Sequence, residues 1–307
     1  MSAPRRILVG LDGSTVAESV LPAVRELAAA LRAEIVLLSV TPVPEVVRTT
    51  AAGIAIDIDE VARQEGRVAH DYLERVADAM RAAGLVVTTA TAVGDAAAEI
   101  VRHAARAGVD LVALATHGRS GVRRWLYGSV ADAVLHTVAT PLLLLRPRAA
   151  EAPAAQAPTR VLVPLDGSEL AAAVLPLAAD LATSLRVPLD LVRIVESTTV
   201  AFAGDPFGSL YTDYDRVLTV LREDAERYLA TVATPLRARG LAVETTVPCG
   251  TAVDGILAHA RAHPGSLVVL STHGRTGWRA VALGSVARRV VLLAEGPVLV
   301  VRPTSTK

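Results

Sequence analysis

A chain of 307 residues, 52% hydrophobic and 20% charged, has enough apolar content for more than one core, which excludes a disordered protein. Basic and acidic residues cancel, so the formal charge is zero and nothing in the balance points to nucleic acid as the main partner. Cys249 is the single cysteine, which excludes an intrachain disulfide and a thiolate metal cluster.

The basic opening of the chain runs straight into a strand-like segment without a signal-peptide core, so a cytoplasmic location is expected. Residues 6–11 are a short run rich in β-branched side chains that stops at Asp12-Gly13-Ser14, a turn and helix-start signal. Residues 16–31 place Val20, Val24, Leu27 and Leu31 at helical spacing and predict one helix. A second strand over 34–40 ends at Thr41-Pro42. A long amphipathic helix over 59–83 is closed by Gly84. Then follow a strand at 86–92, a helix at 96–107, a strand at 110–115, a helix at 129–138 and a fifth strand at 141–145. That last helix and strand include the longest apolar stretch, residues 133–145. It is too short to span a bilayer and holds His136 and Pro141, so no membrane partner is expected.

The whole order then repeats. ILVGLDGS at 7–14 returns as VLVPLDGS at 161–168, and THGRSG at 116–121 returns as THGRTG at 272–277. GSVA at 128–131 recurs at 284–287, and PLLLLRP at 141–147 becomes PVLVVRP at 297–303. Residues 148–158 are rich in Ala and Pro without periodicity and read as a linker. The organisation is therefore domain 1 at 1–147, a linker, and domain 2 at 159–307. Near-continuous apolar strands alternating with helices define the fold class: α/β, two tandem doubly wound domains, each with a five-stranded parallel sheet of Rossmann-like type.

Ligands of such sheets bind beyond the carboxyl ends of strands where the strand order reverses. Two loops in each half have unusual composition there. One carries Asp12, or Asp166 in the second copy, which serves either as a cap for the next helix or as a ligand contact. The other follows the fourth strand. In it Gly118 and Gly121 allow close approach of backbone amides, Gly128-Ser129 opens a helix, and Arg119, Arg123 and Arg124 add positive charge. Gly274, Arg275, Gly277, Arg279, Gly284 and Ser285 repeat the pattern. His117 and His273 read as turn residues or as aids to phosphate binding or pH response, Trp125 and Trp278 as packing for the loop or for a subunit contact, and Cys249 as a small buried side chain or a thiolate favoured by the helix start after it.

With these residues in view, each half resembles the universal stress protein family over nearly its whole length. The family's nucleotide signature is a glycine, two residues, a second glycine, nine residues, then Gly-Ser or Gly-Thr. Here Gly118 precedes nine residues and Gly128-Ser129, and Gly274 precedes nine and Gly284-Ser285. The first glycine is replaced by Ala115 and Ser271, both small. The resemblance implies a fold of the adenine nucleotide alpha hydrolase-like kind and ATP as ligand, with Mg²⁺ as a candidate companion. It implies that Asp12 and Asp166 meet the ribose, bordered by Gly10 and Pro164, and that Val40 and Ile194 meet the adenine through backbone groups. It implies that Gly118, Gly128, Ser129 and Val130 hold phosphates, as do Gly274, Gly284, Ser285 and Val286. It also implies pairing of the two halves through their fifth strands, with a homodimer of chains as a further expectation.

Three functions compete. One is an ATP-binding regulatory protein of the stress response. Another is a slow ATPase, disfavoured because the loops offer Ser129 and Ser285 but no carboxylate beside the phosphates. The third is a nucleotide-free interaction scaffold.

Overall fold

A computed structural model describes residues 3–42, 58–116, 129–147, 157–196, 214–272 and 284–303. The chain divides into two compact units, Pro4–Ala152 and Pro153–Lys307, the latter together with Met1–Ala3. The first unit runs β1 (Arg6–Gly10), α1 (Thr15–Glu18), α2 (Leu21–Leu31), β2 (Glu34–Thr41), α3 (Ile58–Arg81), β3 (Val87–Val93), α4 (Ala96–Arg106), β4 (Leu111–Ala115), α5 (Ser129–Thr137) and β5 (Leu142–Leu145). Its strands are parallel, in the order β3-β2-β1-β4-β5. β1 is central, pairing Leu8 with Val36 on one side and with Val112 on the other. Ile7, Leu8 and Val9 are fully buried, as a strand covered on both faces requires.

Residues 16–31 are two helices, because Pro22 cannot donate to the backbone and its ring would collide with the carbonyl four residues earlier. Pro22 instead sits in the first turn of α2, where its missing N–H costs nothing. The α3 segment does close at Gly84, which takes a φ of +83°.

The second unit repeats the plan: β6 (Arg160–Pro164), α6 (Glu169–Ala172), α7 (Leu175–Leu185), β7 (Leu189–Val192), α8 (Tyr214–Ala238), β8 (Val243–Thr246), α9 (Ala252–Ala262), β9 (Ser266–Ser271), α10 (Ser285–Leu293) and β10 (Val298–Val301). Its parallel order is β10-β9-β6-β7-β8. β7 stops at Val192, so Ile194 lies beyond the strand end that the sequence suggests. Pro248, in the segment after β8, lacks the N–H that would prolong the ladder, and a single Val195–Cys249 bridge follows. Cys249 is exposed, against the expectation of a small buried residue, because the chain has by then left β8.

Candidate functional site

In the first unit β1 hydrogen-bonds to both β2 and β4, so the chain winds outward in one direction through β2 and β3 and in the other through β4 and β5. In doubly wound sheets such a reversal is where a crevice opens, beyond the carboxyl ends of the two strands that flank it, here β1 and β4. β6, between β7 and β9, makes the same reversal in the second unit.

The wall after β1 is built by local hydrogen bonding. Asp12 Oδ1 accepts from the Ser14 backbone N–H at 2.9 Å and from its hydroxyl at 2.6 Å. The Ser14 Oγ in turn accepts from the Ala17 N–H at 3.1 Å and caps α1. Asp166, Ser168 and Ala171 reproduce these contacts at 2.9, 2.6 and 3.1 Å. The serines, not the aspartates, are thus the caps. The aspartates orient them, and both carboxylates stay half-buried at the strand ends. Gly13 and Gly167 turn the chain with φ of +78° and +90°, conformations that favour glycine. Gly10 lies beneath this wall. A Cβ there would stand 2.6 Å from Leu114 Cδ2, and Pro164 occupies the position in the second unit.

Val40 sits past the last β2 residue paired with β1. That pairing ends at Gly10–Leu38, capped by the Leu11 N–H donating to the Leu38 carbonyl at 2.9 Å. Backbone polar groups alternate sides every residue along a strand. Val40 therefore turns its N–H and C=O to the same side as Leu38, toward the crevice beyond β1. Ile194 holds the same relation to Val192, whose carbonyl accepts from the Leu165 N–H at 2.8 Å.

The opposite wall begins at Ala115 and Ser271, the last residues of β4 and β9. Gly118, Arg119, Gly128, Gly274 and Arg275 lie outside the described residues, as do both loop histidines and tryptophans. The wall resumes where α5 and α10 begin. Ser129, Ser285 and Val286 are exposed there and Val130 is half-buried. Gly284 caps α10 without a side-chain acceptor, and its own N–H donates to the Thr272 carbonyl at 2.7 Å, which ties the loop's two ends together. An N-terminus capped in this way presents backbone amides and the positive end of the helix dipole. The first turn of α5 carries Asp132, whereas α10 has no acid there and places Arg288 at the same position, followed by Arg289.

Two further pairs border the crevice that the motifs do not reveal. The Tyr72 hydroxyl donates to Glu18 Oε1 at 2.9 Å. Burial first, then that bond and the charges of Glu18 and Asp12, hold the phenol well above its ordinary pKa. In the second unit the Arg193 guanidinium lies 4.8 Å over the Tyr228 ring and packs against Gly167. Burial raises the Tyr228 pKa, Arg193 opposes the rise, and Asp166 adds to it. Aromatic residues make up only 3% of the chain, so a tyrosine recurring with the repeat was the available signal.

The fold defines a duplicated, doubly wound α/β protein with one strand-order reversal per half. The universal stress protein family profile matches residues 4–146 and 158–302, and the chain belongs to that family. A universal stress protein of Bacillus subtilis, YxiE, is 30% identical over 145 residues, covering 46% of this chain and 98% of its own. Another from Methanocaldococcus jannaschii, MJ0531, is 29% identical over 143 residues, covering 47% of this chain and 81% of its own. A universal stress protein structure from Archaeoglobus fulgidus shares the fold across 98% of this chain and 99% of its own, with a TM-score of 0.70 at 22% identity. No described helix is long and apolar enough to cross a membrane.

Proposed function

We propose that each half binds an adenine nucleotide, ATP, at its switch-point crevice, and that the protein acts in the stress response as a nucleotide-dependent regulator. The observation that carries this reading is the matched pair of walls. In both halves an aspartate bonded to its serine follows the central strand, and a helix begins after the strand on the other side of the reversal. Val40 and Ile194 offer one backbone donor and one acceptor to an adenine edge. Asp12 and Asp166 are placed for the ribose hydroxyls. The amides at Ser129–Val130 and Ser285–Val286, with Gly118, Arg119, Gly128, Gly274 and Arg275, supply the phosphate end. Mg²⁺ would accompany the triphosphate, and hydrolysis is not part of the proposal.

Equilibrium titration with ATP tests the reading, with Asp12→Ala and Asp166→Ala variants alongside. Two binding events are expected, each lost with its own aspartate. Absence of binding in the wild type would leave the scaffold reading, and multiple turnovers with ATP and Mg²⁺ would favour the ATPase. A cytoplasmic site of action, pairing of the halves through their fifth strands, and a homodimer belong to the same proposal. Native mass measurement showing only monomers removes the dimer.

A further inference from the structure

Asp190 is an unexpected residue for its place. It lies in β7, between Leu162 of β6 and Glu244 of β8 in register, and is 1% exposed. Its Oδ2 accepts from Arg160 Nη1 at 2.5 Å and lies 3.1 Å from His259 Nε2. Its Oδ1 is buried without a hydrogen-bond partner among the described residues. A buried carboxylate oxygen left unsatisfied is costly, so such an atom calls for an explanation. His263 follows His259 by one helical turn, with the ring centroids 4.5 Å apart. One ligand atom from each of Asp190, His259 and His263 can be chosen so that all three lie within 4.8 Å of one another.

We propose that Asp190, His259 and His263 form a binding site for a divalent transition-metal ion, of the zinc class, at the amino ends of the second unit's strands, away from the nucleotide crevice. Two imidazoles and a carboxylate are a borderline donor set that suits such an ion. The 3.1 Å between His259 Nε2 and Asp190 Oδ2 falls within the roughly 2.9–3.4 Å that separates two ligands each about 2.0–2.1 Å from one metal. The His263 Nδ1 lies 2.9 Å from the His259 carbonyl. An Nδ1–H tautomer donates there and leaves Nε2 its lone pair, the arrangement that fixes metal-binding imidazoles.

The charges agree. Arg160 is shared between Asp190 and Glu244, the second at 3.2 Å, so one arginine faces two carboxylates and a unit of negative charge remains. Both histidines stand at the end of α9, where the helix dipole favours a cation. The first unit supplies an internal control. Val36, His103 and Ala107 stand at the corresponding positions and cannot form such a set.

The test is calorimetric titration of chelator-stripped full-length protein with Zn²⁺. One equivalent is expected to bind with release of heat and to raise the unfolding temperature. His263→Ala removes a half-exposed ligand at a helix end, and circular dichroism will confirm that the variant is folded. It is expected to lower affinity at least about tenfold, the low end of what loss of even an outer-shell partner costs. Cys249→Ser is expected to leave binding unchanged. Failure to bind Zn²⁺ stoichiometrically, or equal binding by the folded His263→Ala protein, overturns the assignment.

Discussion

Replacing Asp190 by Val gives the second unit the residue that the first unit carries at the same position, Val36. The outcome is set by what is left behind. The Arg160 side chain is 18% exposed and, among the described residues, keeps only Glu244, whose side chain is 59% exposed, as an anionic partner. Removing one member of a buried pair costs about 3–5 kcal/mol. Burial of the valine returns roughly 1.5 kcal/mol of that. A net loss of about 1.5–3.5 kcal/mol is therefore expected, which for a unit of this size lowers the unfolding midpoint by roughly 3–14 °C. Adding Arg160→Met removes the stranded guanidinium, and the double variant is expected to return to within about 1 kcal/mol of the wild type. Urea unfolding followed by circular dichroism, in the presence of chelator, gives all corners of the cycle. Equal stability of the single and double variants would refute the reasoning, since it would mean that the guanidinium loses nothing with its partner.

Ser168→Ala removes the cap of α6, and Ser14→Ala that of α1; each is expected to cost about 0.5–2 kcal/mol in the same unfolding assay. Asp132→Arg copies the charge of the second unit, Arg288, into the first turn of α5, and should tighten ATP binding to the first half roughly two- to fivefold at low salt, less at high salt. The chain has five tyrosines. Alkaline difference spectroscopy should show Tyr72 and Tyr228 ionising later than the ordinary value of 10.0, with Tyr72→Phe deleting one late component. Because the folded pKa is raised, this contribution to stability is complete below pH 10 and declines as pH climbs through the folded value. A single transition for every tyrosine near pH 10 would contradict it.

The parallel sheets were legible because strands such as Ile7–Val9 and Leu142–Leu145 are apolar throughout, and the duplication let each half check the other. The break between α1 and α2 was readable from Pro22 but was overridden by the regular spacing of Val20, Val24 and Leu27. The aspartate after β1 was visible as a candidate, while the division of labour with Ser14 was not, since either side chain could cap. The Tyr72–Glu18 bond joins residues 54 positions apart, and Asp190 meets Arg160 and His259 across 30 and 69 positions. No local pattern encodes such meetings. An acid within a strand also reads as a solvated side chain until the helices covering it are placed.

Among the described residues, the capping bonds of the Asp-Gly-Ser turn lie within six residues, Asp12 to Ala17. A visiting ribose would thus find an acceptor whose aim is already decided by its own short stretch of chain. Little motional freedom is left there to be surrendered on capture, so discrimination between visitors falls to the opposite rim.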